Sequence, residues 1–232
     1  MESVSGVGVL DKSVAILAVL AERGPASLAE LVAATTLSRP TVHRLARALE
    51  DHGLVGRDER GRFCLGARLA AWGRVAEAGT PLLAPAAPVL AALRDATGES
   101  AQLYVREGDH RVCIAVAERP SGLRDTVPVG ARLPLTAGSG AKVLLAWSPA
   151  TGWPEGSDPA ELARVRRAGW AASVAEREAG VASVSAPVRD RTGAVVAAIS
   201  VSGPMERLGR QPGTRFSRAV VGAAHELTSR LV

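Results

Sequence analysis

Ser27-Leu28-Ala29-Glu30-Leu31-Val32-Ala33-Ala34-Thr35-Thr36-Leu37-Ser38-Arg39-Pro40-Thr41-Val42-His43-Arg44-Leu45-Ala46-Arg47 is the stretch that decides the first part of the chain. Ser27 to Glu30 has the S-x-x-E form of a capping box, so a helix starts there, with Leu28, Leu31 and Val32 as its apolar face. Ser38-Arg39-Pro40 starts another: a hydroxyl at the cap, then proline in the first turn, where its missing N–H is not needed. Val42, Leu45 and Leu49 fall at i, i+3 and i+7 and pack inward. Arg39, Thr41, His43, Arg44 and Arg47 then occupy the outer face or its N-terminal end. Residues 38–47 hold three arginines, one histidine and no acid, whereas a merely solvated helix mixes signs. Two short helices in a tight turn, the second carrying exposed cations, predict a helix-turn-helix that reads DNA.

Working outward, a helix over about 11–22 precedes this pair, with Leu17 and Leu20 on one side and Ile16 and Val19 broadening the stripe; Gly24-Pro25 ends it. The reading helix runs to His52, and Gly53 suits its C-terminal cap. Leu54–Arg57 and Arg62–Leu65 are strand-like runs joined by Asp58-Glu59-Arg60-Gly61, a hairpin that predicts a wing. Arg57, Arg60 and Arg62 on it, with Ser38 at the helix cap, are the expected phosphate-side contacts. Residues 67–79 form a linker helix with Leu69, Trp72 and Ala76 at helical spacing, stopping at Gly79-Thr80-Pro81; Leu69 and Trp72, with Ile16 and Val19 of the first helix, are the expected dimer surface. The expected organisation is a winged helix-turn-helix domain over 1–66, a linker helix over 67–79 and a second domain over 80–232.

At 232 residues, 47% of them hydrophobic, the chain suits two compact domains and lies far from a disordered composition. It has no long apolar run of membrane-spanning length, and Glu2 and Asp11 flank too short an apolar stretch for a secretory signal. Cys64 and Cys113 make neither a disulfide framework nor a CxxC metal pair. A cytoplasmic protein is expected. The net charge is +5, and Lys12 and Lys142 are the only lysines among 28 basic residues. That arginine bias suits phosphates and guanine edges, and equally suits a GC-rich genome, so position has to decide. Aromatics at 3% count against a stacking platform for single strands.

In the second domain, a helix over 82–97 leads to an antiparallel pair, Ala101–Glu107 and Arg111–Glu118, with Leu103, Val105, Val112, Ile114 and Val116 expected on one face. A third strand is expected over about 124–129, then helices over 138–147 and 159–168. A long hairpin follows, 181–189 and 194–202, turning at Asp190-Arg191-Thr192-Gly193, and a final helix covers about 213–231. Hairpins with helices at their ends predict an α+β fold. A four-residue turn would pair Ser183 with Ser200 and Ser185 with Ala198. One hairpin face is then apolar, while the other carries Ser183, Ser185, Ser200 and Ser202 without charge. Such a face either lines a ligand cavity or packs on a helix with its hydroxyls bonded to backbone; both readings stay open on the residues alone.

Enzyme signatures fail on spacing. Gly138-Ser139-Gly140 lacks the earlier glycine of G-x-S-x-G, Thr136 and Ala141 break the phosphate-loop pattern, and His43, His52, His110 and His225 have no ligand spacing. No catalytic residue, metal or cofactor is expected.

Leu28-Ala29-Glu30-Leu31 with Ser38 through Leu45, then Gly169-Trp170-Ala171-Ala172-Ser173, Glu176 through Val188, and Ala198 through Pro204, resemble the motifs of the IclR family of bacterial transcription regulators. The resemblance covers essentially the whole chain. It implies a GAF-like effector-binding domain, dimers through the DNA-binding domain, and dimers of dimers through the effector domains. It also implies a double-stranded palindromic operator and a small-molecule effector against the long hairpin and the loop before the 138–147 helix. Matched position by position, it points to Leu123, Thr126, Ser139, Gly140, Ser173, Ser183, Ser200 and Ser202. Ser183 stands where the family commonly has Cys and Ser173 where it has an acid, so a different ligand from the namesake's is implied. Gly98–Tyr104 and Ser121–Gly130 look closest to an actinobacterial subgroup tied to leucine and other amino-acid biosynthesis, implying an amino acid or keto acid. The alternative is a small-molecule-binding or hydrolytic protein whose basic helix is incidental.

Overall fold

The computed structural model describes residues 7–231; residues 1–6 and 232, the outer ends of the expected domains and with them Glu2, lie outside the described residues. One compact unit ends at Gly79 and a second begins at Thr80.

The first unit runs α1 (Gly8–Arg23), α2 (Leu28–Thr35), α3 (Arg39–Asp51), β1 (Val55–Arg57), β2 (Phe63–Leu65) and α4 (Ala67–Ala78). The start of α1 lies three residues before the expected one, because the Val7 carbonyl accepts from the Leu10 and Asp11 N–H groups and Val9 and Leu10 continue the helix. The capping box of α2 forms in both directions: the Glu30 N–H donates to Ser27 Oγ at 3.3 Å, and the Ser27 N–H to Glu30 Oε2 at 2.7 Å. Ser38 Oγ accepts the Thr41 N–H at 3.4 Å, and Pro40 sits in the first turn of α3. Ile16, Leu20, Leu31, Val42, Leu45, Leu49, Val55 and Phe63 form the core. Phe63 also exchanges two backbone hydrogen bonds of 2.8 Å with Ala26, tying β2 to the loop after α1.

Ile16 is 0% exposed. It belongs to this core and not to the dimer surface for which the first helix was expected to offer it, and Val19 packs partly against the same core. The exposed apolar side chains are instead Val9, Leu10 and Val14 on α1 with Trp72 and Val75 on α4. The helix is apolar around most of its circumference, so periodicity alone did not tell which apolar face turns inward.

The second unit runs α5 (Leu83–Thr97), β3 (Ser100–Glu107), β4 (His110–Ala117), β5 (Arg132–Pro134), α6 (Ser139–Ala146), α7 (Pro159–Ala168), β6 (Ala171–Val174), β7 (Val181–Arg189), β8 (Val195–Pro204), α8 (Met205–Leu208) and α9 (Pro212–Arg230), with a single 3-10 turn at Ala150–Gly152. Its antiparallel sheet has the order β5-β4-β3-β8-β7-β6. Helices α5 and α9 cover one face through Val89, Leu90, Leu93, Phe216, Val220 and Leu227 packed on Leu103, Val184, Ile199 and Val201. On the other face α6 lies against β7 and β8, with Val143, Leu144 and Leu145 in a second core around Tyr104 and Cys113. No described helix is long and apolar enough to cross a membrane.

Three local expectations are corrected. The chain over 124–129 pairs with no strand; Arg132–Pro134 pairs with β4 in its place. Pro128 has no N–H for a ladder, and Gly122 and Gly130 at φ +78° and +87° turn the chain at either end. The long hairpin pairs Ser183 with Ser202 and Ser185 with Ser200, because its turn takes five residues, 190–194, rather than four, and β8 carries one further residue, Val196, between the partners of Arg189 and Val188. The resulting displacement along β8 is two residues, so every side chain keeps its expected face. A second bulge, at Leu103/Tyr104, puts Val116 opposite Gln102 and among the residues of the α6 side, away from Leu103.

Candidate functional site

The outer face of α3 is built by its own cap and stripe. With Val42, Leu45 and Leu49 buried, Arg39, His43, Arg44 and Arg47 stand exposed, and Thr41 is held against Ser38 by a hydroxyl pair of 2.8 Å. Among the described residues Arg39, His43 and Arg44 make no ion pair, while Arg47 lies 3.8 Å from Glu50. The wing arginines differ in what they touch. Arg57 donates to the Glu50 carboxylate at 3.2 and 3.4 Å and to the Gly61 carbonyl at 2.9 Å, with its guanidinium 3.5 Å over the Phe63 ring. Arg62 pairs with Asp58 at 2.8 Å. Asp58 Oδ1 also accepts the backbone N–H groups of Arg60 and Arg62, closing the wing turn. Burial opposes ionisation of Asp58, but the Arg62 and Arg60 bonds outweigh it and hold its carboxyl below the usual range. Arg57 and Arg62 therefore brace the wing, and among the described residues the Arg60 guanidinium alone on the wing has no internal partner.

The second site lies where α6 meets the hydroxyl face of β7 and β8. Ser139 Oγ is 2.7 Å from both Ser183 Oγ and Ser185 Oγ, and Ser185 Oγ donates to Ser200 Oγ at 2.9 Å. Gln102 Nε2 donates to Ser202 Oγ at 2.9 Å. Ser139, Ser173, Ser185, Ser200 and Ser202 are all buried. Ser139, Ser173, Ser183, Ser200 and Ser202 line a cavity of about 20 Å³, room for a single water molecule, together with Tyr104, Arg111, Asp125, Arg177 and the Gly138–Gly140 backbone. α6 packs on this face, but the hydroxyls bond chiefly to one another rather than to backbone.

Of the residues the resemblance pointed to, the fold brings Ser139, Gly140, Ser173, Ser183, Ser200 and Ser202 together around this cavity. Leu123, 72% exposed, and Thr126 do not line it. Without a strand over 124–129 the loop turns Asp125 and Val127 inward, and Asp125 pairs with Arg177 at 2.6 Å. Arg207 fixes the loop's base, donating to the Leu123 carbonyl at 2.7 Å while gripping Glu99 at 2.5 and 2.7 Å. At the start of α6, the Gly138 N–H donates to Glu176 Oε2 at 3.1 Å, and Lys142 bridges Glu176 and Glu161 at 2.6 and 2.7 Å. Burial opposes the Lys142 charge, and the two carboxylates more than restore it, leaving its pKa raised. Burial pushes the Cys113 thiol up to about 12, so it stays protonated and inert.

Gln102, Tyr104, Arg111, Asp125 and Arg177 were not anticipated here. Gln102 did carry a signal: it is an amide inside an apolar strand, two residues from Ser100 and from Tyr104. Asp125 and Arg177 are 52 positions apart and carried none.

The chain matches the IclR helix-turn-helix domain over residues 9–59, and over residues 76–153 and 159–229 the domain described as Bacterial transcriptional regulator IclR C-terminal. It belongs to the IclR family. Among curated relatives, the Glycerol operon regulatory protein of Streptomyces griseus is 33% identical over 86% of this chain and 85% of its own length. The HTH-type transcriptional regulator BhcR of Paracoccus denitrificans is 29% identical over 98% of this chain and 88% of its own length. The Thermotoga maritima IclR crystal structure has the same fold, with a TM-score of 0.75 at 23% identity, covering 97% of this chain and 98% of that one. As an IclR-type protein the chain is a DNA-binding transcriptional regulator, and the family consists of regulators rather than enzymes. The hydrolytic alternative is thereby overturned.

Proposed function

We propose that this IclR-type regulator binds a two-fold symmetric operator as a dimer or a dimer of dimers, and that a small polar acid in the serine-lined cavity adjusts its operator affinity. The observation that carries the effector half is the buried run of serine hydroxyls bonded to one another beside the start of α6. A face that served packing alone would gain more from methyl groups. Within the expected ranges of 1–66 and 80–232, Arg44, Thr41 and Arg39 read base edges, while Ser38, His43, Arg47 and Arg60 lie along the phosphates. A single recognition helix spans too few base pairs for genomic specificity, so pairing of two copies follows. The exposed Val9, Leu10, Val14, Trp72 and Val75 are the apolar surface suited to it. The protein works in the cytoplasm, where such an operator is.

The subgroup resemblance over Gly98–Tyr104 and Ser121–Gly130 supports an amino acid or its keto-acid precursor as effector. The relative named for a glycerol operon supports only the broader class of small polar molecules. Operator binding titrated by fluorescence anisotropy against amino acids and their 2-oxo counterparts tests the reading. The doubly substituted Ser200→Ala, Ser202→Ala chain should still bind operator but lose the response. A response that survives both substitutions puts the effector elsewhere.

A further inference from the structure

From Arg39 to Leu49 helix α3 holds no acid, and its first carboxylate, Glu50, comes in the last turn, where a carboxylate helps a helix least. That end carries the negative pole of the macrodipole, so a cation stabilises it and an acid does not. Glu50 also reaches a cation of the wing. Arg57 Nε donates to Glu50 Oε1 at 3.2 Å and Arg57 Nη2 to Glu50 Oε2 at 3.4 Å, so one edge of the guanidinium lies along the whole carboxylate. The remaining nitrogen, Nη1, turns to the Gly61 carbonyl, and the Phe63 ring covers the guanidinium plane at 3.5 Å. Arg47 stands farther off, 3.8 Å from Glu50 Oε2 with its side chain more than half exposed, and stays free to swing toward phosphate. Asp51, the next residue, is exposed and makes no ion pair among the described residues. A partly exposed ion pair such as Arg57–Glu50 contributes little to stability, and the Phe63 stack with the Gly61 bond already ties Arg57 to the hairpin. Stability therefore gives a weak reason for an acid at this place.

Resting on the placement of α3 and the wing along the duplex proposed above, we infer that Glu50 is a positioning residue that holds the Arg57 guanidinium off the phosphate backbone and so limits sequence-independent binding to DNA. The fork that would grip a phosphate through two parallel bonds is satisfied inside the protein by a carboxylate of matching shape. Every duplex offers phosphate and phosphate tells no sequence apart, so a cation released to it strengthens binding at all sites. A regulator has to find its operator among a genome of competing sites, and the ratio of specific to generic affinity decides its occupancy. Generic binding is electrostatic and gains fully from a freed arginine. Withholding one wing cation keeps that background low, while Arg44 and its neighbours on α3 read the bases.

The test is the affinity of the full chain for a short duplex of random sequence, followed by fluorescence anisotropy over a series of salt concentrations. Glu50→Ala puts the best helix former in α3 and removes the acid from its last turn, so the fold should stand. It should steepen the slope of log affinity against log salt by about 0.9, one further phosphate contact, and tighten generic binding about five- to tenfold at about 0.1 M salt. Arg57→Met keeps an apolar stem over Phe63 and removes the charge. It should leave the slope unchanged in the native chain and abolish the gain in the Glu50→Ala chain. Asp51→Ala removes an equal charge one residue along and should leave the slope as it is. A purely structural role for Glu50 would move Tm and not this slope. The inference fails if Glu50→Ala leaves the slope unchanged or flattens it, or if the gain survives Arg57→Met. It fails equally if Asp51→Ala reproduces the gain, since bulk charge is then the cause. A native chain that binds no duplex even at low salt overturns this inference together with the reading it rests on. Unchanged slopes in a native chain that does bind overturn this inference alone.

Discussion

Arg44 stands on the exposed face of α3 and makes no ion pair among the described residues, so its planar fork is available to a guanine edge. Arg44→Ala should cost about 1–3 kcal/mol of operator affinity and relax preference at one base position, read by competition among single-base operator variants. Arg60 at the wing tip serves phosphate in the same account. Arg60→Ala should weaken all sequences alike and lower the slope of log affinity against log salt by about one. Arg57 belongs to a different class. Stacked on Phe63 and paired with Glu50, it supports the wing from behind. Arg57→Ala should lower Tm, with a stability loss on the order of 1 kcal/mol, and leave the salt slope unchanged. Should Arg57→Ala flatten the salt slope as Arg60→Ala does, Arg57 leaves Glu50 to meet phosphate. In the sequence these three arginines were equivalent. What separates them is which acid comes within reach once the hairpin closes: Glu50 lies seven positions from Arg57 on another element, and no local pattern announces the pair.

At the scale of elements, local chemistry was largely legible. The caps of α2 and α3 and the glycine stops depend on neighbours within a few residues, and they form as read. The Ser27 backbone N–H, and after it the Ser27 hydroxyl, hold the Glu30 carboxyl below its usual pKa. A carboxylate favoured by folding stabilises above its unfolded pKa, and that contribution is lost as pH falls through the lowered folded value. Below about pH 4 the first turn of α2 should therefore fray before that of α3, whose cap is a hydroxyl. Amide exchange at Glu30 and Thr41 as a function of pH checks this; equal loss at both contradicts it. Register was less legible. A turn one residue longer than expected and the bulge at Val196 together shifted the serine pairing, and bulges answer to sheet twist and covering helices rather than to any run of sequence. Gly66 shows a comparable long-range demand: a Cβ there would lie 2.1 Å from the Gly53 carbonyl oxygen, backbone that cannot step aside. Gly66→Ala should cost roughly 1–3 kcal/mol in the first unit, seen as an earlier unfolding transition.

For the whole molecule, the two-part organisation and the class of each part could be read because each has its own periodicity: helical stripes and one hairpin first, antiparallel pairs afterwards. The cavity could be read only in part. Its serines share a strand face and so declare themselves at spacing two, whereas Arg111 and Asp125 enter from β4 and a loop whose phase depends on chain far away. The same holds for the apolar surface of α1, where the structure exchanged Ile16 for Val9, Leu10 and Val14. If that surface pairs two copies, Leu10→Glu with Val14→Glu should yield monomers by sedimentation while the exposed positions spare the fold, and operator affinity should fall by well over tenfold for want of the second half-site. The most direct measurement is selection of bound fragments from random duplex DNA by the full chain. Two inverted half-sites about one helical turn apart, centre to centre, should be enriched. An enriched single site without symmetry, or no enrichment at all, would contradict the account of a dimeric, sequence-specific regulator.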